Sequence, residues 1–228
     1  IENWPGIKNV NGSQLAYDIY EQAMALGTSY LYEKVAALEV EGAERRVRCE
    51  SGAEFTAPAV IIATGTVERL LNIPGEQEMI GRGISFCAVC DAAFYRNKPV
   101  IIVGAGNAAF EESLYLAEFA SKVTILARRD VISAEQITQD KVAANPKIEV
   151  LTWRVPQEVI IENNRVAGLK VLNKQTGAVE TMLAKGVFPY IGADPVTEFC
   201  RDLGITNDKG YLVVKSDMST AVAGVYGA

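Results

Sequence analysis

Residues 98–130, "KPVIIVGAGNAAFEESLYLAEFASKVTILARRD", decide the fold of this chain. The apolar run Val100–Val103 predicts a buried strand, and apolar residues then recur at helical spacing through Phe110 and Ala117. A second apolar run, Val123–Leu126, predicts the strand that closes the unit. The stretch therefore has the pattern of a βαβ unit.

A glycine turn joins the first strand of this unit to its helix. Gly104, Gly106 and Ala109 form a G-x-G-x-x-A pattern, with the short side chains of Asn107 and Ala108 inside it. In this context the pattern is typical of a dinucleotide-binding turn, where the backbone approaches a pyrophosphate and the helix N-terminus supplies N–H donors. The alternative is a glycine turn with no ligand. We predict that these five residues bind a cofactor.

The end of the second strand indicates which dinucleotide binds. NAD-dependent enzymes usually have Asp or Glu at this point for the ribose 2′-hydroxyl, whereas this chain has Ala127, Arg128 and Arg129. Two guanidinium groups bind a 2′-phosphate through charge-assisted hydrogen bonds, which favours NADP(H). The alternative is a solvated charged turn that Arg128 and Arg129 form with Asp130.

Upstream of the βαβ unit, residues 86–91 read "FCAVCD". A zinc site at Cys87 and Cys90 is disfavoured because the chain has no His and because Cys49 and Cys200 are isolated in sequence. A buried pair of structural thiols stays open. A C-x-x-C near a βαβ pattern is more often redox-active, which is the interpretation we prefer.

The chemistry of such a pair follows from its neighbours. A thiol at a helix N-terminus has its pKa lowered by the helix dipole, so one cysteine forms a thiolate that attacks a disulfide while the other resolves it. Asp91 follows directly and is predicted to donate a proton to a leaving thiolate. Its alternative role is to complement the dipole at a helix start.

Composition excludes several classes of function. The 228 residues carry 22 basic and 28 acidic side chains, a formal charge of -6, which argues against a nucleic-acid-binding protein. No apolar run is long enough to span a bilayer, and no signal peptide is visible. Four cysteines are too few for a disulfide-rich secreted fold, so we expect a reducing cytoplasm.

The order of predicted elements repeats along the chain. A helix near Ser13–Leu26 is followed by strands and by an apolar strand that ends at Gly65, and the later segments repeat this order up to Gly192. We predict an α/β fold with two Rossmann-like three-layer domains and β-meander crossovers, the first domain being incomplete. One dinucleotide-binding domain would comprise residues 1–84 and 187–228, and the other residues 85–186. The links near Gly75–Ser85 and Lys185–Val187 are predicted to act as a hinge.

Six motifs, "ENWPG", "IIATG", "CAVCD", "GAGNAA", "ARRD" and "GVFPYIGADP", occur in this order. With them the whole chain resembles the low-molecular-weight, bacterial-type thioredoxin reductase family. The resemblance implies a homodimeric, FAD-dependent enzyme that passes electrons from NADPH through flavin to the Cys87–Cys90 disulfide and on to thioredoxin. It also implies that Cys90 is the sulfur next to the flavin and that Cys87 attacks thioredoxin.

The resemblance assigns FAD to the domain of residues 1–84 and 187–228 and NADPH to the domain of residues 85–186. It makes a reduced flavin system a second proton acceptor for Asp91. It also implies flavin contacts, at Asn3, at Val35 and at Ala63, Thr64 and Gly65.

Two departures from the family motifs keep alternatives open. Ala127 stands where the family commonly has His, and Ser133 stands where it has a further Arg, so 2′-phosphate binding is expected to be weaker. One alternative is an enzyme of the same fold that uses ferredoxin or another donor instead of NADPH. The other is a non-catalytic redox-sensing module in which the cysteines switch conformation.

Overall fold

The computed structural model describes residues 4–8 and 10–228 of the chain. The helices are α1 (Gly12–Ala25), α2 (Glu76–Met79), α3 (Ala88–Asp91), α4 (Asn107–Phe119) and α5 (Gln136–Ala144), with 3-10 helices at Ala92–Tyr95 and Glu198–Leu203. The strands are β1 (Val35–Glu41), β2 (Glu44–Cys49), β3 (Glu54–Ala57), β4 (Val60–Ile62), β5 (Thr66–Glu68), β6 (Pro99–Val103), β7 (Lys122–Leu126), β8 (Ile148–Leu151), β9 (Arg154–Glu162), β10 (Arg165–Asn173), β11 (Val179–Leu183), β12 (Gly186–Pro189), β13 (Ala193–Pro195) and β14 (Val225–Gly227).

The chain forms two compact units. The first unit comprises the residues up to Ala63 together with Thr197–Asn207 and Leu212–Ala228. The second unit comprises Thr64–Val196 and Asp208–Tyr211. Each unit thus draws on separate stretches of the chain.

A four-stranded parallel sheet with the order β12-β6-β7-β8 forms the centre of the second unit. Its strands are short, apolar and rich in Val and Ile, because both faces of a parallel sheet are covered. Pro189 ends β12, which is an edge strand, so the missing N–H of proline costs the sheet no internal hydrogen bond. The predicted βαβ unit is confirmed as β6, α4 and β7.

Alternate residues of the strands supply the two layers that cover this sheet. Ile102 of β6 points into one core, which α4 and α5 fill with side chains such as Phe110 and Val142. Ile101 of β6 points into the other core, which the antiparallel meander β9–β11 fills with side chains such as Leu169. The predicted arrangement of three layers with a β-meander is therefore confirmed in this unit.

The predicted domain boundaries, 84/85 and 186/187, fall inside the second unit. The reason is local pairing, since Ile84 bridges to Val187 and the Ser85 N–H donates to the Val187 carbonyl at 3.0 Å. In addition, β5 pairs with β13. The two predicted hinge segments therefore lie in the second unit as well, where a Cβ atom on Gly83 would meet Val166 at 2.6 Å.

The first unit contains an antiparallel sheet, β1-β2-β3, and a parallel pair, β4 and β14. Leu38, Ile62 and Val225 form its core with Cys200 and Ile205. Ile61, the middle residue of β4, is 71% exposed. The outer face of this parallel pair is therefore open, in agreement with the predicted incompleteness of the first Rossmann-like domain.

Among the residues that the structure describes, no helix is both long enough and apolar enough to cross a membrane.

Candidate functional site

Cys87 and Cys90 are joined by a disulfide, with their Cα atoms 5.3 Å apart. Cys87 is the N-cap of α3, and its sulfur accepts the Cys90 N–H at 3.1 Å. Ser85 fixes the approach to the helix, because its Oγ accepts the Cys87 N–H at 3.1 Å. Cys90 is exposed and Cys87 is half-buried, so the bond is accessible to a reactant from one side. The predicted disulfide at a helix N-terminus is thereby confirmed.

The other two cysteines, Cys49 and Cys200, are free and buried. Burial raises the pKa of both thiols, which keeps them protonated and unreactive. In the described part of the chain no group of three or more His, Cys, Asp or Glu side chains could hold a metal ion. The redox chemistry of the site therefore belongs to one pair of sulfurs.

Asp91 is the last residue of α3 and is half-buried. It lines a cleft of about 530 Å³ in the second unit, together with Phe94 and Tyr95 of the following 3-10 helix. The other charged residues that line the cleft are Glu162 and four cations: Arg82, Lys98, Arg165 and Lys185. A cationic cleft thus opens next to the redox helix of a chain whose net charge is negative.

The glycine turn lies at the carboxyl end of β6, in the same unit. Gly104 has φ +153°, and a Cβ atom there would collide with the carbonyl oxygen of Tyr190. Gly106 is the N-cap of α4, whose first turn, Asn107, Ala108 and Ala109, has N–H groups without intrahelical acceptors. The turn therefore has the small residues and the free donors that a dinucleotide pyrophosphate requires.

Two hydrogen bonds tie this turn to the loop that follows β7. The Ser133 N–H donates to the Ala105 carbonyl at 2.8 Å, and the Asn107 Oδ1 accepts the Glu135 N–H at 2.7 Å. The Ser133 hydroxyl also donates to the Ala105 carbonyl, at 3.2 Å. Ser133, which the sequence marked only as a departure from the family pattern, thus supports the shape of the turn.

Arg128 and Arg129 follow β7 at the same edge of the sheet and are exposed. Neither forms a salt bridge with another residue of the described ranges. Ala127 is buried, and its N–H and carbonyl bond to Leu151 and Arg154. Two unpaired guanidinium groups near the glycine turn fit the 2′-phosphate of NADP, so the residues present suit that cofactor.

The predicted flavin-side residues are divided between the two units. Val35 opens β1 and Ala63 follows β4 directly, both in the first unit. Thr64 and Gly65 begin the second unit, where the Thr64 hydroxyl donates to the Val196 carbonyl at 2.6 Å. Asn3 lies outside the described residues.

The first unit also allows a test of its fit to FAD. Ala63 is small, exposed and located at the carboxyl end of β4, and Ala228 occupies the same position after the parallel strand β14. Ligands of α/β proteins bind outside the carboxyl ends of parallel strands, so these residues fit a flavin nucleotide.

Sequence reasoning missed Tyr190, which contacts the redox helix. Its hydroxyl accepts the Ala88 N–H at 2.9 Å, and burial raises its pKa. The available signal was its position directly after the last apolar strand, where a side chain reaches the carboxyl edge of the sheet. It stands in the "GVFPYIGADP" motif, but that motif indicates the end of an apolar strand and gives the tyrosine no role.

Comparisons with known proteins agree with this geometry. The family model described as pyridine nucleotide-disulphide oxidoreductase matches residues 8–228. The chain is 38% identical to the thioredoxin reductase of Bacillus subtilis and 37% identical to that of Listeria monocytogenes. Both alignments cover all of this chain, and 72% and 71% of the relatives.

A solved structure is similar along the whole chain as well. The crystal structure of Lactococcus lactis thioredoxin reductase superposes with a TM-score of 0.82 at 38% identity. The match covers all of this chain and 75% of that one.

Proposed function

The chain belongs to the pyridine nucleotide-disulphide oxidoreductase family, and on this premise we propose that it is a thioredoxin-disulfide reductase of the low-molecular-weight type. It passes electrons from NADPH through FAD to the Cys87–Cys90 pair and on to thioredoxin. The observation that carries the proposal is the disulfide at the start of α3, within the same compact unit as the dinucleotide turn. When bound, FAD supplies the two-electron step between the nicotinamide and the disulfide.

The two cysteines have different roles in the exchange with thioredoxin. The Cys87 sulfur accepts the Cys90 N–H, which stabilises a Cys87 thiolate in the reduced pair. This thiolate attacks one sulfur of the partner disulfide, and the other partner sulfur leaves and takes a proton. The Cys90 thiolate then attacks the Cys87 sulfur, which restores the disulfide and releases the second partner thiol. We assign the donation of this proton to Asp91, because Asp91 is the acidic residue of α3, the helix whose N-cap is Cys87.

The cleft beside α3 is where we propose that thioredoxin docks. A protein disulfide must approach Cys87 closely, and the adjacent surface offers Phe94, which is 70% exposed, with Arg82 and Lys98 around it. An exposed aromatic ring in a cleft lined by four cations and two carboxylates suits a partner whose rim is acidic. Arg82→Ala should therefore raise the KM for thioredoxin with little change in kcat, and high salt should reduce the difference.

A homodimer and a cytoplasmic location complete the proposal. The first unit exposes a run of large side chains, Tyr30, Leu31 and Tyr32, of the kind that protein interfaces bury. The free thiols of Cys49 and Cys200 are consistent with a reducing compartment. Light scattering of the purified protein tests the first point, and fractionation of the native cells tests the second.

The test of the function uses the full-length protein and three variants. We expect a yellow protein whose flavin absorbance is bleached anaerobically by NADPH and which reduces thioredoxin catalytically. Cys87→Ser and Cys90→Ser should retain NADPH-dependent bleaching but lose thioredoxin reduction. Cys200→Ala is the matched control, because this cysteine is unpaired, and it should retain both.

Two results would contradict the proposal. Bleaching by reduced ferredoxin but not by NADPH would identify the donor as ferredoxin. A protein that forms the disulfide but turns over no disulfide substrate would be a redox sensor instead of a reductase.

A further inference from the structure

Tyr190 connects the glycine turn to the redox helix within the second unit. Its N–H donates to the Val103 carbonyl at 2.7 Å, and its own carbonyl packs where a side chain on Gly104 would otherwise lie. Its hydroxyl reaches the other element and accepts the Ala88 N–H at 2.9 Å. The backbone of Tyr190 is thus fixed by the parallel sheet, while its side chain holds the first residue of α3.

We propose that Tyr190 is a positioning residue for the redox pair: its hydroxyl fixes the first turn of α3 so that the Cys90 N–H points at the Cys87 sulfur. The inference rests on the proposed function in one respect only, which is that the pair cycles between disulfide and dithiol. Tyr190 acts through Ala88 and need not contact a substrate.

The hydroxyl is needed because Ala88 is fully buried. The first N–H groups of a helix have no intrahelical acceptor, and water does not reach this one. Without the hydroxyl, the buried Ala88 N–H has lost its hydrogen-bond acceptor. The first turn of α3 then shifts until this N–H reaches another acceptor. The neighbouring Cys90 N–H then no longer points at the Cys87 sulfur.

The measurable consequence concerns the Cys87 thiol of the reduced pair. A thiolate that loses an N–H donor is less stable, so the thiol pKa rises and less thiolate is present near neutral pH. Besides burial, three carboxylates raise the pKa of the Tyr190 hydroxyl through their negative charge: Glu112 of α4, Glu68 of β5 and Asp91 of α3. All three are the same in the parent protein and in the variants below, so their effects cancel in the comparison.

The variant is Tyr190→Phe, which removes one oxygen atom. Its matched control is Tyr115→Phe, in which a half-buried tyrosine of α4, packed against Phe119 at 5.4 Å between ring centroids, loses its hydroxyl in the same unit. Each protein is reduced with dithiothreitol, freed of it and alkylated with iodoacetamide across a range of pH, and alkylation at each cysteine is measured by mass spectrometry.

For Tyr190→Phe we expect alkylation of Cys87 to be about fivefold slower near pH 7, the ratio that one hydrogen bond of about 1 kcal/mol provides. The rates should converge with those of the parent above the thiol pKa, where both proteins are fully thiolate. Tyr115→Phe should follow the parent at every pH. A general loosening of the unit would instead change the rates equally at all pH values.

Equal Cys87 rates near pH 7 in the parent and in Tyr190→Phe would overturn the proposal, as would an equal loss in Tyr115→Phe. Should Tyr190→Phe fail to fold, amide exchange of the parent decides, because an unprotected Ala88 N–H contradicts the hydrogen bond. None of these readouts needs flavin, NADPH or thioredoxin. A protein that fails as a thioredoxin reductase can therefore still confirm or refute the role of Tyr190.

Discussion

The two parallel sheets of this chain are built from similar residues but are covered differently. In the second unit, Ile102 of β6 is completely buried beneath α4, and Ile101 on the opposite face is covered by the meander. In the first unit, Ile62 is buried whereas its neighbour Ile61 is 71% exposed. The comparison teaches that an apolar sequence shows only that a strand can be buried. How much of the strand is buried depends on the helices or strands that cover each face of its sheet.

The largest expected effect comes from truncating one strand isoleucine in each sheet. Ile102→Ala should lower the free energy of unfolding by about 3–4 kcal/mol, because it removes buried methylenes and leaves a cavity. In the same 228-residue chain, Ile61→Ala should cost less than about 0.5 kcal/mol, because the side chain is 71% exposed there. Urea unfolding of both variants measures the difference, and equal losses would mean that a further layer covers Ile61 in solution.

The next effect concerns the glycines at the start of each cofactor region. Gly104→Ala should destabilise the protein by about 2–3 kcal/mol, since the new Cβ collides with the Tyr190 carbonyl and φ is +153°. Gly65→Ala should cost about 1 kcal/mol, because φ is +64° but no atom lies within 4 Å of the new Cβ. Thermal unfolding compares the two variants. If Gly65→Ala proved the more costly, close packing around Gly104 would not be the reason for glycine there.

A smaller effect is expected at the dinucleotide end of the second unit. Arg128→Ala should weaken NADPH binding about tenfold and leave NADH binding nearly unchanged, since one charge-assisted hydrogen bond to the 2′-phosphate is lost. Arg201→Ala, at an exposed arginine of the first unit, is the control and should change neither affinity. Isothermal titration measures both nucleotides. An equal loss for NADH would show that Arg128 does not contact the 2′-phosphate.

Much of the second unit was predictable, because its signals are local. The strands predicted at Val100–Val103 and Val123–Leu126 are β6 and β7, and each begins only one residue earlier than the apolar run. The disulfide followed from two cysteines three positions apart. The small strands β5 and β13 were missed because each has only three residues and becomes a strand only through pairing with the other.

The supporting contacts of the site were beyond the reach of sequence reasoning for a similar reason. Tyr190 lies about a hundred residues after Ala88, and the Ser133 hydroxyl reaches a carbonyl 28 residues earlier. Both contacts arise because the parallel sheet brings its carboxyl ends to one edge. Periodicity and motifs describe neighbours along the chain, so they locate the cysteines and the glycines but not the groups that hold them.

The smallest expected effect concerns acid stability, where a hydrogen-bonded carboxylate of the second unit can be compared with one of the first. Glu180 of β11 accepts from Asn173 Nδ2 at 3.0 Å and from Arg154 Nε at 3.1 Å, and these partners hold its pKa below the ordinary value of 4.5. Because the folded-state pKa is depressed, the carboxylate stabilises the protein above about pH 4.5, and this contribution is lost as the pH falls through the folded-state pKa.

Glu180→Gln should therefore flatten the decline of the urea midpoint below pH 4.5. Asp217→Asn in the first unit should flatten it less, because Asp217 lies in an exposed turn, where solvent screens its bonds from Ser219 and the charge of Lys215. Parallel curves for the parent and Glu180→Gln would show that the link between the three strands of the meander adds no acid-sensitive stability.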